Sequence, residues 1–389
     1  MNRPLIITIG ITIVLFVLSV WVYLLVFGTP KETKDIFANL GVIEPSEEIV
    51  EIVPANTTSD RSGKLALTGS ALQQLTTRAV AGFAFASSSI VRYVERGTGH
   101  MYEINLDSGV ETQISLTTFP QTVKAIFSPK ATEVALISYI QYEQKVSIGA
   151  INSDTEQIEV IAFPYNAQNI SFADETTVYF TLEEDKKTTG YTYNLEAHSQ
   201  LKLFTTQLQD IIVWGSDVSG EMYIQTKPTK YLEGYLYTIS ENVLTAVTSP
   251  AYGLTSFING EYIITSEVKD LSYVSQWLHD DTSTNQPILM IKEKCVFDPI
   301  EVAKTWCASP LETNSDYLEN WYKGKLTSQD YLWSTSLDAQ SSTLIGDLST
   351  LSGRTIDVTD ISINTDGAIL LFGNKIDQTL WIYRIDGDT

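Results

Sequence analysis

The stretch of sequence that decides the fold is VAGFAFASSSIVRYVERGTGHMYEINLDSGVETQIS, residues 80–115. Apolar and polar residues alternate over four short runs, 80–85, 90–94, 100–105 and 111–115, which is the pattern of β-strands. The turns between the runs include Gly97-Thr98-Gly99 and Asp107-Ser108-Gly109, where glycine supplies the positive φ that tight hairpins need. We therefore predict one antiparallel sheet of four strands, a to d.

The same layout recurs along the chain. In each copy a strand ends on Ile or Leu and a polar turn follows. The seven endings are Leu106, Ile151, Leu195, Ile239, Leu278, Leu337 and Ile385. Their spacing averages about 46 residues, and a four-stranded propeller blade needs roughly 40 to 50. The sequence therefore predicts an all-β fold, a seven-bladed β-propeller of four-stranded antiparallel blades, over residues 70–389.

The seventh copy has only three strands, 355–363, 368–372 and 379–385, before the sequence ends. A further strand pattern, 71–77, precedes the first strand a and has no blade of its own. We predict that it forms the outer strand of blade seven, which would close the ring without an unpaired gap.

Several short motifs resemble those of TolB-type, WD-repeat-like propellers of bacterial envelopes. They are Phe127-Ser128-Pro129 after strand a of blade two, Asn364-Thr365-Asp366-Gly367 in blade seven, and the strand ending Leu75-Thr76. The resemblance covers residues 70–386 and implies an interaction scaffold on the envelope side. The Trp-Asp ending of eukaryotic WD repeats and the additional domain of TolB are absent from the sequence.

The N-terminal part predicts attachment to a membrane. After a tail of residues 1–4, residues 5–27 carry no charge and would span roughly 34 Å as a transmembrane helix. The alternative is a cleavable signal peptide, although its apolar region is normally shorter. Residues 28–69 are acidic and poor in apolar residues, which predicts a flexible stalk, with a short helix over 31–40 as the alternative. We expect a single-pass membrane protein with its propeller extracytoplasmic, in the periplasm or at the cell surface.

Charge and composition exclude several functions. The chain has 47 acidic and 25 basic residues and a net charge of -22, so the domain would repel nucleic acid. The three histidines, His100, His198 and His279, are far apart in the repeat and predict surface or structural roles. We find no Gly-x-Ser-x-Gly elbow, no His-Glu-x-x-His and no phosphate-binding glycine loop, and we predict no cofactor, metal site or catalytic residue.

The two cysteines, Cys295 and Cys307, fall in strands a and b of blade six. Opposite residues on adjacent antiparallel strands lie within disulfide reach. In an exported domain we expect a disulfide. The alternative is a pair of small buried thiols.

A binding surface is predicted from the long step between Leu278 and Leu337, which marks an insertion over 310–329, between strands b and c of blade six. In a propeller the b-to-c and d-to-a connections share one face. Exposed aromatic residues on such loops often contact partners. The candidate binding residues are Tyr317, Trp321, Tyr322, Lys323, Arg96, Tyr165 and Tyr252. The alternative is that Trp321 only packs the insertion onto the blade rim.

These features favour a membrane-anchored binding scaffold for envelope proteins or glycans. One alternative is an envelope glycan hydrolase or lyase with its site in the propeller channel, which inward carboxylates or arginines would indicate. A channel lined by small apolar residues of strand a would favour the scaffold. The other alternative is a purely structural part of a surface assembly, which a large exposed apolar patch on one face would indicate.

Overall fold

The computed structural model describes residues 18, 62–65, 70–115, 117–141, 143–152, 157–215, 221–240, 242–279 and 282–385. All of these except Leu18 fall within one compact unit, Ser59–Thr389. The predicted transmembrane helix, 5–27, lies outside the described residues apart from Leu18, and most of the predicted stalk, 28–69, lies outside them too. Among the described residues, no helix has the length and apolar character that crossing a bilayer requires.

The described residues form the seven antiparallel sheets that the repeat predicts. Blade one contains β3 (Val80–Ser87), β4 (Ile90–Glu95), β5 (Met101–Asn105) and β6 (Val110–Gln113). Blade two contains β7 (Thr122–Phe127), β8 (Glu133–Ile140), β9 (Glu143–Asn152) and β10 (Gln157–Ala162). Blade three contains β11 (Ile170–Phe172), β12 (Thr177–Glu184), β13 (Lys187–Asn194) and β14 (Ser199–Thr206).

Blades four to six follow the same order. Blade four contains β15 (Ile211–Gly215), β16 (Met222–Thr226), β18 (Leu236–Ser240) and β19 (Val243–Ala246). Beside it, β17 (Glu233–Gly234) pairs with β20 (Ala251–Tyr252). Blade five contains β21 (Thr255–Asn259), β22 (Tyr262–Lys269), β23 (Ser272–His279) and β24 (Thr282–Gln286). Blade six contains β25 (Cys295–Phe297), β26 (Lys304–Ser309), β27 (Tyr331–Ser336) and β28 (Ser341–Asp347).

Blade seven contains strands from both ends of the propeller. Its strands are β29 (Val358–Ile363), β30 (Ile369–Asn374), β31 (Leu380–Arg384) and β2 (Leu72–Gln74). Two short helices lie in connections, α1 (Tyr317–Tyr322) before β27 and α2 (Leu348–Ser352) before β29. Each of the seven predicted Ile or Leu endings lies at the end of the third strand of its blade, so the repeat is confirmed.

The ring closes as predicted. Strand β2 pairs antiparallel with β31, with Leu72 opposite Tyr383, and the Leu380 amide donates to Thr76 Oγ1 at 3.0 Å. Leu72 is buried in the apolar layer between blades six and seven, whereas Leu75 is buried in the layer between blades seven and one. A few residues from the N-terminal side thus support two blade interfaces.

One strand was not predicted. Strand β1 (Ser62–Lys64) pairs antiparallel with β6, which makes blade one a five-stranded sheet. It falls inside the range assigned to the stalk, 28–69. Ser-Gly-Lys carries no apolar alternation, and the pairing uses only backbone groups, which any extended segment can offer to an open sheet edge. Composition therefore could not identify it.

The core consists of layers between blades. Among the described residues, the buried apolar side chains form eight clusters, of which seven join two neighbouring blades and the eighth packs the insertion of blade six. Between blades seven and one, for example, Leu371 and Ile382 pack with Val91 and Ile104. Each fully buried aliphatic side chain contributes roughly 1.5 to 3 kcal/mol. No blade has a core of its own, so the blades depend on one another.

The turns between strands a and b are short and are held by side chains. Asn364 Oδ1 accepts hydrogen bonds from the amides of Ala368 and Ile369, both at 2.9 Å, and Asn364 Nδ2 donates to Ser88 O of blade one at 3.0 Å. In blade two, Ser128 donates to the carboxylate of Glu175 in blade three. The motifs that suggested TolB-type propellers therefore close turns and link neighbouring blades.

The predicted cysteine pair is a disulfide. Cys295 and Cys307 lie directly opposite each other in β25 and β26, their Cα atoms are 4.1 Å apart, and the bond is formed. Both residues are buried in the layer between blades five and six.

The closing strand should contribute strongly to stability. A chain that starts at Ala79 lacks β2, and we expect it to unfold or to melt well below a chain that starts at Ser70, because both interfaces of blade seven lose buried side chains. Thermal unfolding followed by circular dichroism measures the difference. Equal melting temperatures would show that the ring does not depend on β2.

A point variant tests the same contact with less disruption. Replacing buried Leu75, which is 2% exposed, by Ala should cost about 2 to 5 kcal/mol. The matched control is Leu201→Ala on the outer strand β14, where the side chain is 65% exposed and the cost should stay within about 0.5 kcal/mol.

Candidate functional site

The insertion of blade six lies where the repeat predicts it, between β26 and β27, and it contains α1. One side of α1 is buried: Tyr317, Leu318 and Trp321 pack with Tyr273, Leu289 and Ile291. Trp321 is 2% exposed. The burial of Tyr317 and Trp321 supports the alternative interpretation, in which these rings hold the insertion on the propeller and leave contact with a ligand to their neighbours.

A buried polar network fixes the insertion from below. Lys294 is 1% exposed, and its ammonium contacts Asp330 and lies 2.7 Å from Asp357 Oδ1 and 2.9 Å from Ser328 Oγ. The indole Nε1 of Trp321 donates to Asp357 Oδ1 at 2.8 Å. Burial opposes the charge of Lys294, but the attraction of Asp330 and Asp357 outweighs it and raises the pKa of Lys294. The lysine is therefore a cation at neutral pH and connects blade six, blade seven and the insertion.

Sequence reasoning missed this network. Lys294, Asp330 and Asp357 are far apart in sequence. Single acidic residues cannot be recognised as members of a buried network in a chain that has 47 of them. Their common signal is position, since each directly precedes the first residue of a strand, β25, β27 or β29. The N-terminal ends of these three strands come close together only when the strands have been assembled into blades.

The insertion also reaches across blade five to blade four. The Ser315 amide donates to Leu271 O at 2.9 Å, Lys230 Nζ lies 2.5 Å from Asp316 Oδ1, and Thr229 Oγ1 donates to Glu319 Oε2 at 3.1 Å. The b-to-c connections of blades four, five and six therefore meet at one face, as predicted from propeller geometry.

Between the insertion and blade four lies a groove of about 1190 Å³. Three predicted binding residues line it: Tyr252, Tyr322 and Lys323. The remaining wall comes from the loop between β16 and β18, including Tyr231, Leu232 and Tyr235, and from the connection between blades three and four. The groove is thus walled by tyrosines from three separate connections.

Five charged side chains line the groove, and four of them form two ion pairs; Glu233 is the fifth. Lys227 Nζ lies 3.2 Å from Asp210 Oδ1, and Lys323 contacts Glu319 one helical turn away. The Tyr322 hydroxyl donates a hydrogen bond to Glu293 Oε2 at 2.9 Å. Burial raises the pKa of Glu293. The groove therefore offers a ligand aromatic faces, aliphatic surface and hydrogen-bonding groups.

Large exposed apolar side chains concentrate on the face that carries this groove. Apart from Leu18, the described residues include fifteen such side chains. Ten of them belong to b-to-c or d-to-a connections, or to the strand ends that lead into these connections. They are Tyr139, Ile140, Tyr231, Leu232, Tyr252, Leu271, Leu311, Tyr322, Leu351 and Ile376. We call this side of the disc the loop face. The densest set surrounds the groove, where Tyr231 and Leu232 are 66% and 69% exposed.

Two of the predicted binding residues lie elsewhere. Tyr165 stacks on Phe180 with ring centroids 5.0 Å apart, in the layer between blades two and three. Arg96 lies at the central channel, where its guanidinium donates to Val123 O at 2.6 Å. The surface predicted from seven residues is therefore divided among the groove, the buried side of α1, one blade interface and the channel.

The central channel is a second cavity, of about 570 Å³. Its wall consists largely of small or apolar residues of the innermost strands, such as Ala81, Gly82, Ala125 and Val213. Among the described lining residues, Asp360 is the only one with a carboxylate, whereas acid–base hydrolysis of a glycoside uses two. The described residues also include no group of three or more His, Cys, Asp or Glu placed to hold a metal ion.

Comparison with known proteins defines the fold only. No protein-family model matches the chain, and no curated protein is significantly similar in sequence. An oligogalacturonate lyase solved in complex with manganese is 11% identical, with a TM-score of 0.57, and the match covers 83% of this chain and 95% of the lyase. The propeller domain of the trilobed protease of Pyrococcus furiosus is 8% identical, with a TM-score of 0.51, covering 80% of this chain and 97% of that domain.

TolB from Acinetobacter baumannii is also among the structural neighbours, at 13% identity and a TM-score of 0.44, covering 67% of this chain and 64% of TolB. The matches to the lyase and to the protease domain confirm the resemblance to propellers at the level of the fold. At these identities the likeness does not extend to an activity.

The Lys294 network should be essential for the insertion. Lys294→Met leaves Asp330 and Asp357 buried without their cation, and we expect a loss of about 3 to 5 kcal/mol in the free energy of unfolding. The control is Lys145→Met, which breaks an exposed pair with Glu143 and should cost less than about 1 kcal/mol. Urea unfolding measures both variants. Similar losses for the two lysines would mean that the buried network has no special role.

Proposed function

We propose that this protein is a binding scaffold that recognises a partner protein through the loop face, with the groove between blade four and the insertion as its centre. The observation that carries the proposal is the groove, walled by tyrosines from three connections and surrounded by the exposed apolar side chains of this face. The exposed apolar side chains alone would equally suit the purely structural alternative. Large exposed apolar side chains grouped on one face mark interaction surfaces, and tyrosines are prominent among the residues that dominate binding energy. On the opposite face, large exposed apolar side chains are fewer, such as Ile300 and Val302 in the a-to-b turn of blade six.

The groove favours recognition over a purely structural role. A component that only packs against its neighbours needs a flat complementary surface, whereas a cavity of about 1190 Å³ admits an inserted segment of a partner. Because both groove lysines are paired internally and the walls are largely aromatic and aliphatic, the segment that fits is rich in apolar or aromatic side chains. A glycan would use the same tyrosine faces by stacking and is the competing ligand.

The site is also proposed to be extracytoplasmic. Two features support this location: the uncharged run 5–27, which is long enough to span a bilayer, and the Cys295–Cys307 disulfide. Disulfides persist in oxidising compartments and are rare in the cytosol. The acidic sequence between the proposed anchor and the propeller would hold the propeller domain off the membrane surface.

A glycan lyase working in the channel is the second candidate. The observation that favours it is the presence of Arg96, Lys124, Lys292 and Lys375 around the channel, since cations can neutralise a sugar carboxylate. Burial lowers the pKa of Lys375, which suits a lysine for proton abstraction. Its ammonium, however, contacts Trp321 O and lies 3.6 Å from the centre of that indole ring, so in this structure it holds the insertion.

Site-specific photocrosslinking in the native membrane tests the proposed function. A photoreactive residue at Tyr231 on the loop face should crosslink one stoichiometric protein neighbour. The same residue at Leu344, an exposed position on the outer strand β28, should not. Replacing Leu232 and Tyr252 by Ser should reduce the Tyr231 crosslink at least fivefold, because two apolar contacts are lost.

Two outcomes contradict the binding scaffold. Equal crosslinking from Tyr231 and Leu344 would mean that the loop face is not specific. Release of sugars when the purified protein is incubated with isolated cell wall would show an enzyme, and loss of that release in Lys124→Gln would locate it in the channel.

The location is tested separately. In cells stripped of any outer membrane but with an intact cytoplasmic membrane, added protease should degrade the propeller. The full-length chain should sediment with membranes, and after denaturation a maleimide should label both cysteines only when they have been reduced. A form without residues 5–27 should be released from the membrane fraction. Protection of the propeller from protease, or labelling of both cysteines without reductant, would place the domain in the cytoplasm.

A further inference from the structure

The central channel differs in charge from the rest of the molecule. The chain has a net charge of -22, yet four basic residues and one acidic residue line the channel. Cations in a concave site with low-dielectric walls focus their field and raise the local concentration of anions. Such a reversal of sign inside an acidic molecule indicates an anionic ligand.

Three of the cations belong to separate blades. Lys124 lies on the innermost strand β7 of blade two, is exposed, and makes no salt bridge with any residue in the described part of the chain. Arg96 lies in the turn after β4 of blade one and is fixed by its hydrogen bond to Val123 O. Lys292 precedes blade six, and its ammonium lies 4.7 Å from the ring centre of Trp214 in blade four. Their charges therefore approach the channel from different sides.

The apolar wall of the channel indicates that the ligand also has an apolar part. Phe83, Ile126 and Trp214 line the same cavity, and the side-chain amide of Gln378 adds a hydrogen-bonding group. A small inorganic anion would leave this apolar surface unused, whereas a neutral apolar compound would leave the cations unused. The volume of about 570 Å³ is within the range of small-molecule sites.

We propose that the channel binds a small organic anion with several oxyanion groups on an apolar or aromatic body, at a site separate from the groove of the loop face. Lys124, Arg96 and Lys292 attract the oxyanions, and the strand residues hold the body. Asp360 opposes binding and favours ligands whose negative charges lie away from blade seven.

The test uses benzene-1,3,5-tricarboxylate as the probe and the neutral triamide of the same ring as its matched comparison. Calorimetric titration of the full-length protein in detergent should show saturable binding of one tricarboxylate, weakened by added salt, and at least tenfold weaker binding of the triamide. Inorganic phosphate alone should also bind at least tenfold more weakly, because it lacks the body.

Variants locate the binding. Lys124→Gln should raise the dissociation constant about fivefold or more. Lys202→Gln, which removes the same charge from an exposed position on the outer strand β14, should change it less than twofold. Both variants replace exposed side chains, and equal melting temperatures confirm that each remains folded. The groove variant Leu232→Ser should leave tricarboxylate binding unchanged, which separates this site from the proposed function.

The proposal is overturned by any of three results: no saturable binding of the tricarboxylate, equal binding of the triamide or of phosphate, or equal effects of Lys124→Gln and Lys202→Gln. The last result would mean that only the net charge of the protein matters.

Discussion

The structure depends on apolar layers that no single blade possesses. Each sheet has side chains on both faces, and each face finds its partner only on the neighbouring blade, as Val91 and Ile104 do against Leu371 and Ile382. A row of such sheets would leave an uncovered apolar face at each end. Closing the ring removes both ends, and β2 completes the blade at which they meet by supplying Leu72 to one layer and Leu75 to the next. Burial between blades is therefore the constraint from which the circular shape follows.

This constraint explains what could be predicted from the sequence. Strand alternation, polar turns and a step of about 46 residues are local or periodic signals, and they were sufficient for the blade number, the closing strand, the position of the insertion and the opposition of Cys295 and Cys307. What could not be predicted depends on three-dimensional assembly. The contact of Lys294 with Asp330 and Asp357 needs blade six against blade seven, and the burial of Trp321 needs α1 in place. Strand β1 uses backbone pairing and leaves no mark on composition.

The two faces of the disc differ in the connections between their strands. On the a-to-b side, short turns are closed by side chains such as Asp298, whose carboxylate accepts from the amides of Ile300 and Glu301 at 2.9 and 3.0 Å. Burial opposes the charge of Asp298, but these hydrogen bonds outweigh it and lower the pKa of the carboxyl. On the loop face, the b-to-c connections of blades four and six are long, and the latter contains the insertion, so these connections can carry exposed tyrosines without disturbing the blades. A rigid scaffold with variable loops is a common basis for recognition.

Electrostatics separates the two cavities although both open near blade four. In the groove, Lys227 and Lys323 are paired with Asp210 and Glu319, and Glu233 adds a negative charge, so the groove has no excess of cations. In the channel, basic residues outnumber acidic ones, since Asp360 is the one carboxylate among the described lining residues, and Lys124 makes no salt bridge with a described residue. An anion approaching the outer surface is repelled, and the channel is the described cavity where it gains attraction. An uncharged apolar segment of a partner is neither attracted nor repelled by the charges that line the groove. The two cavities to which we assign the proposed ligand and the proposed partner therefore differ in charge as well as in position, one at the channel and the other on the loop face.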